Sequence, residues 1–291
     1  RGRQCRVDRN DRNRRVGARL RRPLQIVRQS HRHTALSRRH LIASCEASLR
    51  RLRRDHIDLY QLHEWDGQTP LEETMEALDT LQRSGKVRYV GCSNFSGWHI
   101  MKAMGISERA GSARLISQQI YYSLQGREAE YELLPISLDQ GLGVLVWSPL
   151  AGGLLTGKYR RGKPQPDSGR HLQNWGEPPL YDEAKLYDTI EVLVEIAEAR
   201  KVPAAQVAMA WSLGRPAITS LVIGVRNEAQ LKANLPAVDL KLTAEERGKL
   251  DAVSAPTLIY PYWHQASTAR DRLGAADLAL LEPFVRGEAR F

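Results

Sequence analysis

The stretch IDLYQLH, residues 57–63, is the most informative for the fold, because it predicts a short apolar strand that ends in His63, a residue able to take part in catalysis. Three further segments follow the same pattern: VRYVGCSN ends at Asn94, LISQQ ends at Gln119, and GVLVWSPL contains Ser148. Parallel strands that carry such residues at their carboxyl ends bring them to one face of a barrel. The sequence therefore predicts an α/β fold with its site at the carboxyl ends of the strands.

Segments with helical periodicity separate these strands along the chain. Strands that alternate with helices are typical of right-handed crossovers and a parallel sheet. Thr69-Pro70-Leu71-Glu72 indicates a capping box with proline at the first helical position. The predicted strands are 57–63, 87–92, 115–120, 143–147 and 220–224, with 24–27 as a candidate sixth, and the predicted helices lie near 41–52, 71–85, 97–110, 129–140, 181–201, 204–214, 227–235 and 243–253.

The number of strands falls short of the eight that close a barrel of this kind. We therefore expect a (β/α)8 TIM barrel that is incomplete at its amino end, with the first two or three strands missing or aberrant. Residues 1–35 form an arginine-rich irregular segment that we expect to be disordered. Residues 36–256 are the predicted barrel body, and residues 257–291 are a tail predicted to pack on the barrel.

The net charge of +10 suggests a nucleic-acid partner until the charge is mapped along the chain. Residues 1–39 contain 14 arginines and two aspartates, so this segment carries +12 and the rest of the chain carries −2. A basic arm binds phosphate backbones through counter-ion release, but it normally accompanies a reading domain that this nearly neutral body does not resemble. We therefore do not predict a nucleic-acid partner.

Composition favours a cytoplasmic protein without a membrane partner. No stretch approaches the roughly 20 apolar residues of a membrane span, and the amino end lacks the apolar middle of a signal peptide. Cys5, Cys45 and Cys92 are odd in number and have no metal-ligand spacing, which favours a reducing compartment and no metal site.

The segment GGLLTGK, residues 152–158, matches the spacing of a phosphate-binding loop of nucleotide hydrolases. Tyr159 then occupies the position where Ser or Thr must hold magnesium, and residues 160–164 do not open the helix that such a loop requires. A dinucleotide fingerprint G-x-G-x-x-G after a strand is also absent from the sequence. We therefore do not predict ATP or GTP hydrolysis.

The strand ends carry groups that suit a nicotinamide ring. His63 alone would be weak evidence, because a histidine at a strand end is more often structural than catalytic. Asn94 and Gln119 can hydrogen-bond an amide edge, and Trp147 offers a flat face for an aromatic ring.

Later residues suit the phosphates of the same cofactor. Gly224 precedes a helix that starts near Asn227, and its position leaves backbone N–H groups for a phosphate. Lys158 and Arg226 add positive charge. An amide-bearing ring with a phosphate tail describes a nicotinamide dinucleotide.

Together these segments resemble the aldo-keto reductases. The resemblance implies an eight-stranded barrel that binds NADPH in an extended form and passes hydride to a small-molecule carbonyl substrate, an aldehyde or a ketone. It runs from about Leu36 to about Pro256 and rests on SRRH at 37–40, DLYQLH at 58–63, GKVRYVGCSN at 85–94, WSPL at 147–150 and GGLLTGKY at 152–159.

The resemblance also implies roles for single residues. His63 would orient the carbonyl. Trp65 is expected to contact the substrate, the alternative being a residue at the rim of the loop. The implied cofactor residues are Ser93, Asn94 and Gln119 for the carboxamide, Trp147 for the nicotinamide ring, Ser148, Leu150, Gly152, Lys158 and Arg170 for the pyrophosphate, and Gly224, Arg226, Gln230 and Asn234 for the adenosine and its 2′-phosphate.

The aromatic residues of the tail have two interpretations. Tyr260, Tyr262 and Trp263 either border the substrate pocket or pack against the outer helices of the barrel. Packing is the interpretation that we carry forward.

The chain departs from the family pattern at the proton donor. Family members use a tyrosine tuned by lysine and aspartate, all supplied by the first three strand ends. Here no tyrosine precedes Tyr60, no lysine precedes Lys86, and Asp8 and Asp11 lie in an arginine run. Three explanations stay open: residues 1–35 are a wrong reading frame or start joined to a reductase body, the chain is a catalytically silent cofactor-binding relative with a regulatory task, or it is a working enzyme whose amino part folds unconventionally.

Overall fold

The structure is a computed structural model that describes residues 25–27, 36–164 and 178–285. The segment 1–35 therefore lies outside the described residues except for 25–27, and Arg170 also lies outside them. The chain divides into two compact units. Unit 1 contains the residues up to Gln119 together with Asp139–Val144, and unit 2 contains Ile120–Leu138 together with the residues from Leu145 onward.

Strands and helices alternate through most of the described chain, which confirms the predicted α/β class. The strands are β1 (Gln25–Val27), β2 (Ile57–Leu62), β3 (Val87–Ser93), β4 (Leu115–Tyr121), β5 (Gly143–Trp147) and β6 (Ile218–Val222); the helices are α1 (Arg38–Leu52), α2 (Leu71–Arg83), α3 (Gly97–Ala110), α4 (Leu133–Gln140), α5 (Glu183–Arg200), α6 (Ala204–Leu213), α7 (Glu228–Asn234), α8 (Ala244–Val253), α9 (Tyr262–Thr268) and α10 (Leu278–Val285); short 3-10 segments span Glu128–Glu130, Ala151–Thr156 and Leu235–Val238.

Unit 1 is built on parallel strands. β1 pairs with β2, β2 with β3 and β3 with β4, all in parallel. Every residue of β2 is buried, as expected for a strand of a parallel sheet that is covered on both faces. Tyr60 donates its hydroxyl to the carbonyl oxygen of Leu41 in α1, 3.2 Å away, so this ring faces the helix layer. By alternation along the strand, Gln61 faces the opposite side of the sheet.

A row of three residues crosses the sheet of unit 1 on that opposite face. Gln61 pairs with Gly91, and Gly91 pairs with Ser117 after an irregularity between Val90 and Gly91. A Cβ atom on Gly91 would lie 2.3 Å from Ser117 Oγ and 2.9 Å from the Ser117 carbonyl oxygen. The close approach of β4 therefore requires glycine at position 91.

The sheet order continues from β4 to β5 and then to β6. Unit 2 contains the end of β4, most of β5 and all of β6. Long helices cover this unit: α5 buries residues such as Ile190 and Leu193, and nine of the ten residues of α6 are buried. Gly157 has φ +79° and lies where an added Cβ would be 3.1 Å from Ala204 Cβ, so the chain before α5 packs tightly on the start of α6.

A buried ion cluster lies at the centre of unit 2. Glu130 accepts hydrogen bonds from Arg127 Nε at 2.8 Å, from Arg215 Nη2 at 2.9 Å and from the Tyr122 hydroxyl. Burial raises the pKa of Glu130, but the charges of the two arginines and these hydrogen bonds outweigh it, so its pKa is lowered from the ordinary value. Glu130 is therefore a carboxylate in the folded chain at neutral pH.

The same arginines extend the cluster to α8. Arg215 Nη1 donates to Asp251 Oδ1 at 3.2 Å, and Trp211 Nε1 donates to the same oxygen at 2.8 Å. Both guanidinium groups lie over the Trp211 ring, at 5.3 Å for Arg127 and 5.1 Å for Arg215. The cluster thus joins the turn after β4 to α6 and α8.

Three details differ from the sequence expectations or extend them. The candidate sixth strand is present as β1, and the last strand runs over Ile218–Val222, two residues before the predicted 220–224. The predicted capping box at Thr69 is wrong: Pro70 is the N-cap of α2 without a side-chain cap, and the Thr69 hydroxyl donates to Asp66 Oδ2 at 2.8 Å. Asp66 competes successfully for this hydroxyl because it lies in the same tight loop.

Among the described residues, no helix combines the length and the apolar character that a membrane crossing requires.

Replacing Gly91 with alanine tests the close approach of β3 and β4. We expect Gly91→Ala to lower the free energy of unfolding by about 1–3 kcal/mol, because the new Cβ must displace Ser117 or its backbone. Gly248→Ala in α8 is the matched control, since a Cβ there meets nothing within 4 Å and alanine favours a helix by about 1 kcal/mol. Thermal and urea unfolding measure both; equal stability of Gly91→Ala and the parent chain would contradict the close approach.

Replacing Glu130 with glutamine tests the ion cluster. We expect a loss of about 3 kcal/mol at pH 7, because both arginines lose their buried carboxylate. A lowered folded-state pKa stabilises the fold at pH values above the ordinary glutamate pKa and stops doing so as the pH falls through the folded value. The difference between the two proteins should therefore shrink in acid, whereas the exposed substitution Glu108→Gln should have little effect at any pH. A difference independent of pH would refute the charge assignment.

Candidate functional site

Unit 1 brings four predicted residues together at its strand ends. Ser93 Oγ and Asn94 N both donate to the carbonyl oxygen of Gln119, at 3.0 and 3.2 Å. Asn94 Nδ2 donates to the carbonyl oxygen of His63 at 2.9 Å. These bonds tie the carboxyl ends of β2, β3 and β4 to one another. We call His63, Ser93, Asn94 and Gln119 the unit 1 cluster.

The backbone of the unit 1 cluster is constrained at Asn94. This residue has φ +55°, in the left-handed region that most non-glycine residues avoid. Asparagine tolerates this conformation better than most residues because its short polar side chain bonds locally. The left-handed turn directs the Asn94 amide toward the end of β2.

The side chain of Gln119 presents a buried acceptor in this cluster. Gln119 is 6% exposed, and its Oε1 has no hydrogen-bond partner among the described residues. Gln61 Oε1 and Ser117 Oγ lie in the preceding row on the same face of the sheet. They too are buried and have no hydrogen-bond partner among the described residues. Since a buried polar atom normally has a partner, Gln119 is suited to accept a hydrogen bond from a bound donor such as an amide NH2.

An aromatic group lies beside the unit 1 cluster, on the loops that follow β2 and β3. Trp65 stacks on His99 with ring centroids 3.7 Å apart and planes 9° apart, and Phe95 meets Trp65 edge-on at 5.3 Å. Trp98 lies 3.8 Å from the His99 ring and is 60% exposed. Sequence reasoning predicted Trp65 and missed the other three rings.

His99 is held neutral within this stack. Its Nδ1 accepts a hydrogen bond from the Ser96 backbone at 3.2 Å, which completes a capping box at the start of α3. Burial, followed by the charge of Lys102, lowers the pKa of His99. The spacing Ser96-x-x-His99 was the sequence signal for this cap, although a histidine in place of glutamate obscured it.

In unit 2 the ring of Trp147 lies at the end of β5. It packs against Tyr121 with centroids 5.0 Å apart and planes 42° apart. Trp147 is half-buried, so part of the indole is accessible. Ser148, which follows it, has φ +52°, and its Oγ accepts a hydrogen bond from Gly152 N at 3.1 Å.

The chain from Ser148 to Lys158 then forms a compact turn that contains Leu150 and the predicted Gly152. Gly152 and Gly153 have φ values of +65° and +104°, which only glycine adopts without strain. A Cβ on Gly153 would lie 3.8 Å from Lys158 Nζ, so the lysine folds back over the glycines. No helix follows within residues 159–164, as expected for a segment that is not a nucleotide-hydrolase loop.

Lys158 and Arg226 form a basic pair in unit 2. Burial, followed by the positive charge of Arg226, lowers the pKa of Lys158. Two neighbouring cations favour the binding of an anion beside them. Gly224 lies two residues before Arg226 on an exposed segment. A Cβ atom added to Gly224 would meet no other atom within 4 Å.

Two of the backbone N–H groups beyond Gly224 bind side chains of the same turn. Asn227 Oδ1 accepts from Gln230 N at 2.9 Å, and Gln230 Oε1 accepts from Arg226 N at 2.8 Å. Local side chains thus cap two of the N–H groups at the start of α7, and the use of this turn as a phosphate site stays a prediction. Asn234 ends α7 and is partly buried.

A cavity of about 740 Å³ in unit 2 lies away from these residues. Its lining includes Arg127, Asp251 and Trp263, and none of the described residues predicted for the site. Tyr262 stacks on Tyr131 at 5.4 Å, so this tail aromatic packs against the segment that follows the 3-10 turn Glu128–Glu130.

Comparison with known proteins relates the chain to one family. The model of the Aldo/keto reductase family matches residues 10–255. An uncharacterised oxidoreductase, YrpG, of Bacillus subtilis is 42% identical over 208 residues, which cover 72% of this chain and 60% of that protein. The versiconal hemiacetal acetate reductase of Aspergillus parasiticus is 34% identical over 246 residues, covering 82% and 70%. A probable voltage-gated potassium channel subunit beta of Arabidopsis thaliana is 35% identical over 209 residues, covering 70% and 63%.

The chain thus spans 60–70% of the length of these relatives. The match begins at residue 10, earlier than the resemblance from Leu36 that the motifs carry. It ends at residue 255, before the segment that contains α9 and α10.

Two substitutions at position 94 separate the backbone from the side chain of Asn94. Both Asn94→Gly and Asn94→Ala remove the hydrogen bond to His63, but only alanine is strained at φ +55°. We expect the alanine variant to be about 1–2 kcal/mol less stable than the glycine variant. Urea unfolding measures the difference, and equal stabilities would show that position 94 does not adopt the left-handed conformation.

Proposed function

The chain belongs to the Aldo/keto reductase family, and on that basis we propose that it binds NADPH and reduces an aldehyde or a ketone to an alcohol by hydride transfer. The observation that carries the proposal is the buried acceptor Gln119 Oε1 beside Ser93 and Asn94 at the strand ends of unit 1. A carboxamide NH2 supplies the donor that this oxygen needs.

Unit 2 would hold the rest of the cofactor. Trp147 would stack on the nicotinamide ring with the accessible part of its indole. Ser148, Leu150 and Gly152 would line the pyrophosphate, with Lys158 as its cation. Gly224, Arg226, Gln230 and Asn234 would surround the adenosine, and Arg226 would pair with the 2′-phosphate that distinguishes NADPH from NADH. Arg170, predicted for the pyrophosphate, lies outside the described residues.

His63 is the residue that we assign to the carbonyl substrate. It follows β2 directly, is half-buried, and its carbonyl oxygen is fixed by Asn94. NADPH supplies the hydride when it is bound, and His63 would orient the carbonyl oxygen that gains negative charge. Trp65, stacked on His99, would present an aromatic surface to the substituent on the carbonyl.

The described tyrosines near these strand ends are poor proton donors. Tyr60 is bonded to α1, and burial raises its pKa far above that of a free phenol. Burial also raises the pKa of Tyr121. The proton for the alkoxide would then come through His63 or from water. Turnover should be slower by about 10² to 10⁴ than in a family member with a positioned acid.

The orientation of Tyr60 and one of the relatives favour a second candidate function. The relative from Arabidopsis thaliana is named as a potassium channel subunit beta. A chain that keeps the cofactor residues and has no phenol at the substrate would bind NADPH without efficient turnover. In this reading it is a catalytically silent regulatory subunit of the same fold.

Free thiols support a location in the cytoplasm. Cys45 and Cys92 are buried and unpaired, and burial raises their pKa values to about 11 and about 12. Neither thiol is reactive at neutral pH, and a reducing compartment suits both.

Titration with NADPH and NADH tests the proposal. We expect Arg226→Ala to weaken NADPH binding about 10-fold, through the loss of a charge-assisted contact, and to leave NADH binding unchanged. Lys232→Ala is the matched control, because Lys232 is an exposed cation on α7 that pairs with Glu228. Fluorescence of the bound nucleotide reports both affinities. Failure of the parent chain to bind either nucleotide would overturn the proposed function.

Addition of 4-nitrobenzaldehyde to the NADPH complex separates the two candidates. Steady oxidation of NADPH that is lost in His63→Ala identifies a reductase. Tight NADPH binding without oxidation identifies the regulatory subunit.

A further inference from the structure

The turn after β4 closes around the hydroxyl of Tyr121. The phenol donates to Gln125 Oε1, and its oxygen lies 2.9 Å from Ser123 Oγ. Ser123 Oγ in turn accepts from Gln125 N at 3.2 Å and from Gly126 N at 3.3 Å. The backbones of Ser123 and Gly126 are also bonded to each other in both directions, at 3.1 and 3.2 Å. The hydroxyl of Tyr121 thus contacts two side chains, Ser123 and Gln125, of the four-residue turn 123–126.

The same turn also contacts the ring of Tyr121. A Cβ on Gly126 would lie 2.4 Å from Tyr121 Cε1 and 3.1 Å from Cζ, so the backbone at Gly126 is in direct contact with the ring. Burial raises the pKa of this phenol, which keeps its proton and its role as donor over the whole physiological pH range. The Tyr121 ring is therefore held both by the hydrogen bonds of its hydroxyl and by its contact with the backbone at Gly126.

The ring of Tyr121 also contacts Trp147. The centroids are 5.0 Å apart and the planes are tilted by 42°. A half-buried indole at the end of a strand can rotate about its side-chain bonds unless a neighbour packs against it. The ring of Tyr121 makes such a packing contact with Trp147.

The network continues from Tyr121 to the segment directly before α5. Gln125 Nε2 donates to the carbonyl oxygen of Pro179 at 3.0 Å. Gln125 therefore uses both ends of its amide, one for the phenol and one for the backbone at Pro179. A change in the position of Pro179 would reach the Tyr121 ring through one side chain.

From these contacts we infer that Tyr121 is a positioning residue, which sets the tilt of the Trp147 indole, and that Gln125 links this tilt to the backbone at Pro179. The inference rests on the proposed function only in that Trp147 receives the nicotinamide. It assigns a role to Tyr121 that is separate from proton donation.

The neighbouring residue Tyr122 provides a matched control. Tyr122 is also buried and also donates its hydroxyl to a side chain, Glu130, but its ring stacks on Trp211 at 5.3 Å. Tyr122→Phe removes a buried hydroxyl of the same kind from the adjacent position. It should lower stability without altering Trp147.

Fluorine NMR of the full chain labelled with 5-fluorotryptophan tests the inference without any ligand. The chain has six tryptophans, and Trp147→Phe identifies the resonance of Trp147. We expect Tyr121→Phe and Gln125→Ala to shift or broaden that resonance, and Tyr122→Phe to leave it in place. An unchanged Trp147 resonance in both Tyr121→Phe and Gln125→Ala overturns the inference, whatever the unfolding temperature of the variants.

Titration with NADPH supplies a second readout. We expect Tyr121→Phe to bind NADPH about 3- to 10-fold more weakly than the parent chain, with Tyr122→Phe equal to the parent chain. If the parent chain does not bind NADPH, the proposed function fails while the fluorine spectra still decide the role of Tyr121. If NADPH binds equally to all three proteins, the link between the tilt of Trp147 and the cofactor is refuted.

Discussion

The parallel register of β2, β3 and β4 is the constraint on which the rest of unit 1 depends. Pairing Gln61 with Gly91 and Gly91 with Ser117 places these three residues in one row, and the next row on the same face of the sheet contains Ser93 and Gln119. Because side chains alternate along each strand, this register also sends Tyr60 to the helix layer. A shift by one residue would exchange the two faces.

In unit 2 the corresponding constraint is electrostatic. Glu130 is buried between two arginines, and these ion pairs hold the turn after β4 against α6 and α8. Breaking them would leave a buried charge without its partner, which costs several kcal/mol, about 3–5. The Tyr121 ring and its turn lie immediately before this cluster in the chain. The phenol of Tyr121 therefore anchors the ring that packs against Trp147, while Glu130 fixes the part of the chain that follows.

Much of the fold could be predicted because buried parallel strands are short apolar runs, and β2 to β5 lie within a residue or so of the expected bounds. The closeness of the residues in the unit 1 cluster could be predicted for the same reason, since each lies at or near the carboxyl end of a strand. Ring partners such as His99 and Tyr121 were not, because stacking depends on the three-dimensional path of loops. Thr69 and Asn227 show a further limit, because only the folded loop decides which side chain caps a helix: Thr69 donates to Asp66 and does not cap α2, whereas Asn227 caps α7.

The alternation of the β2 side chains between the two faces of the sheet limits any attempt to engineer the chain. Tyr60 is only three residues from His63, yet no side-chain rotation can carry its phenol through the sheet to the face on which Gln61 lies. A designer who wishes to install an acid there would have to place it at a position of the opposite parity, such as Leu59, or import it on another segment. Closeness in sequence along a strand is no measure of chemical access.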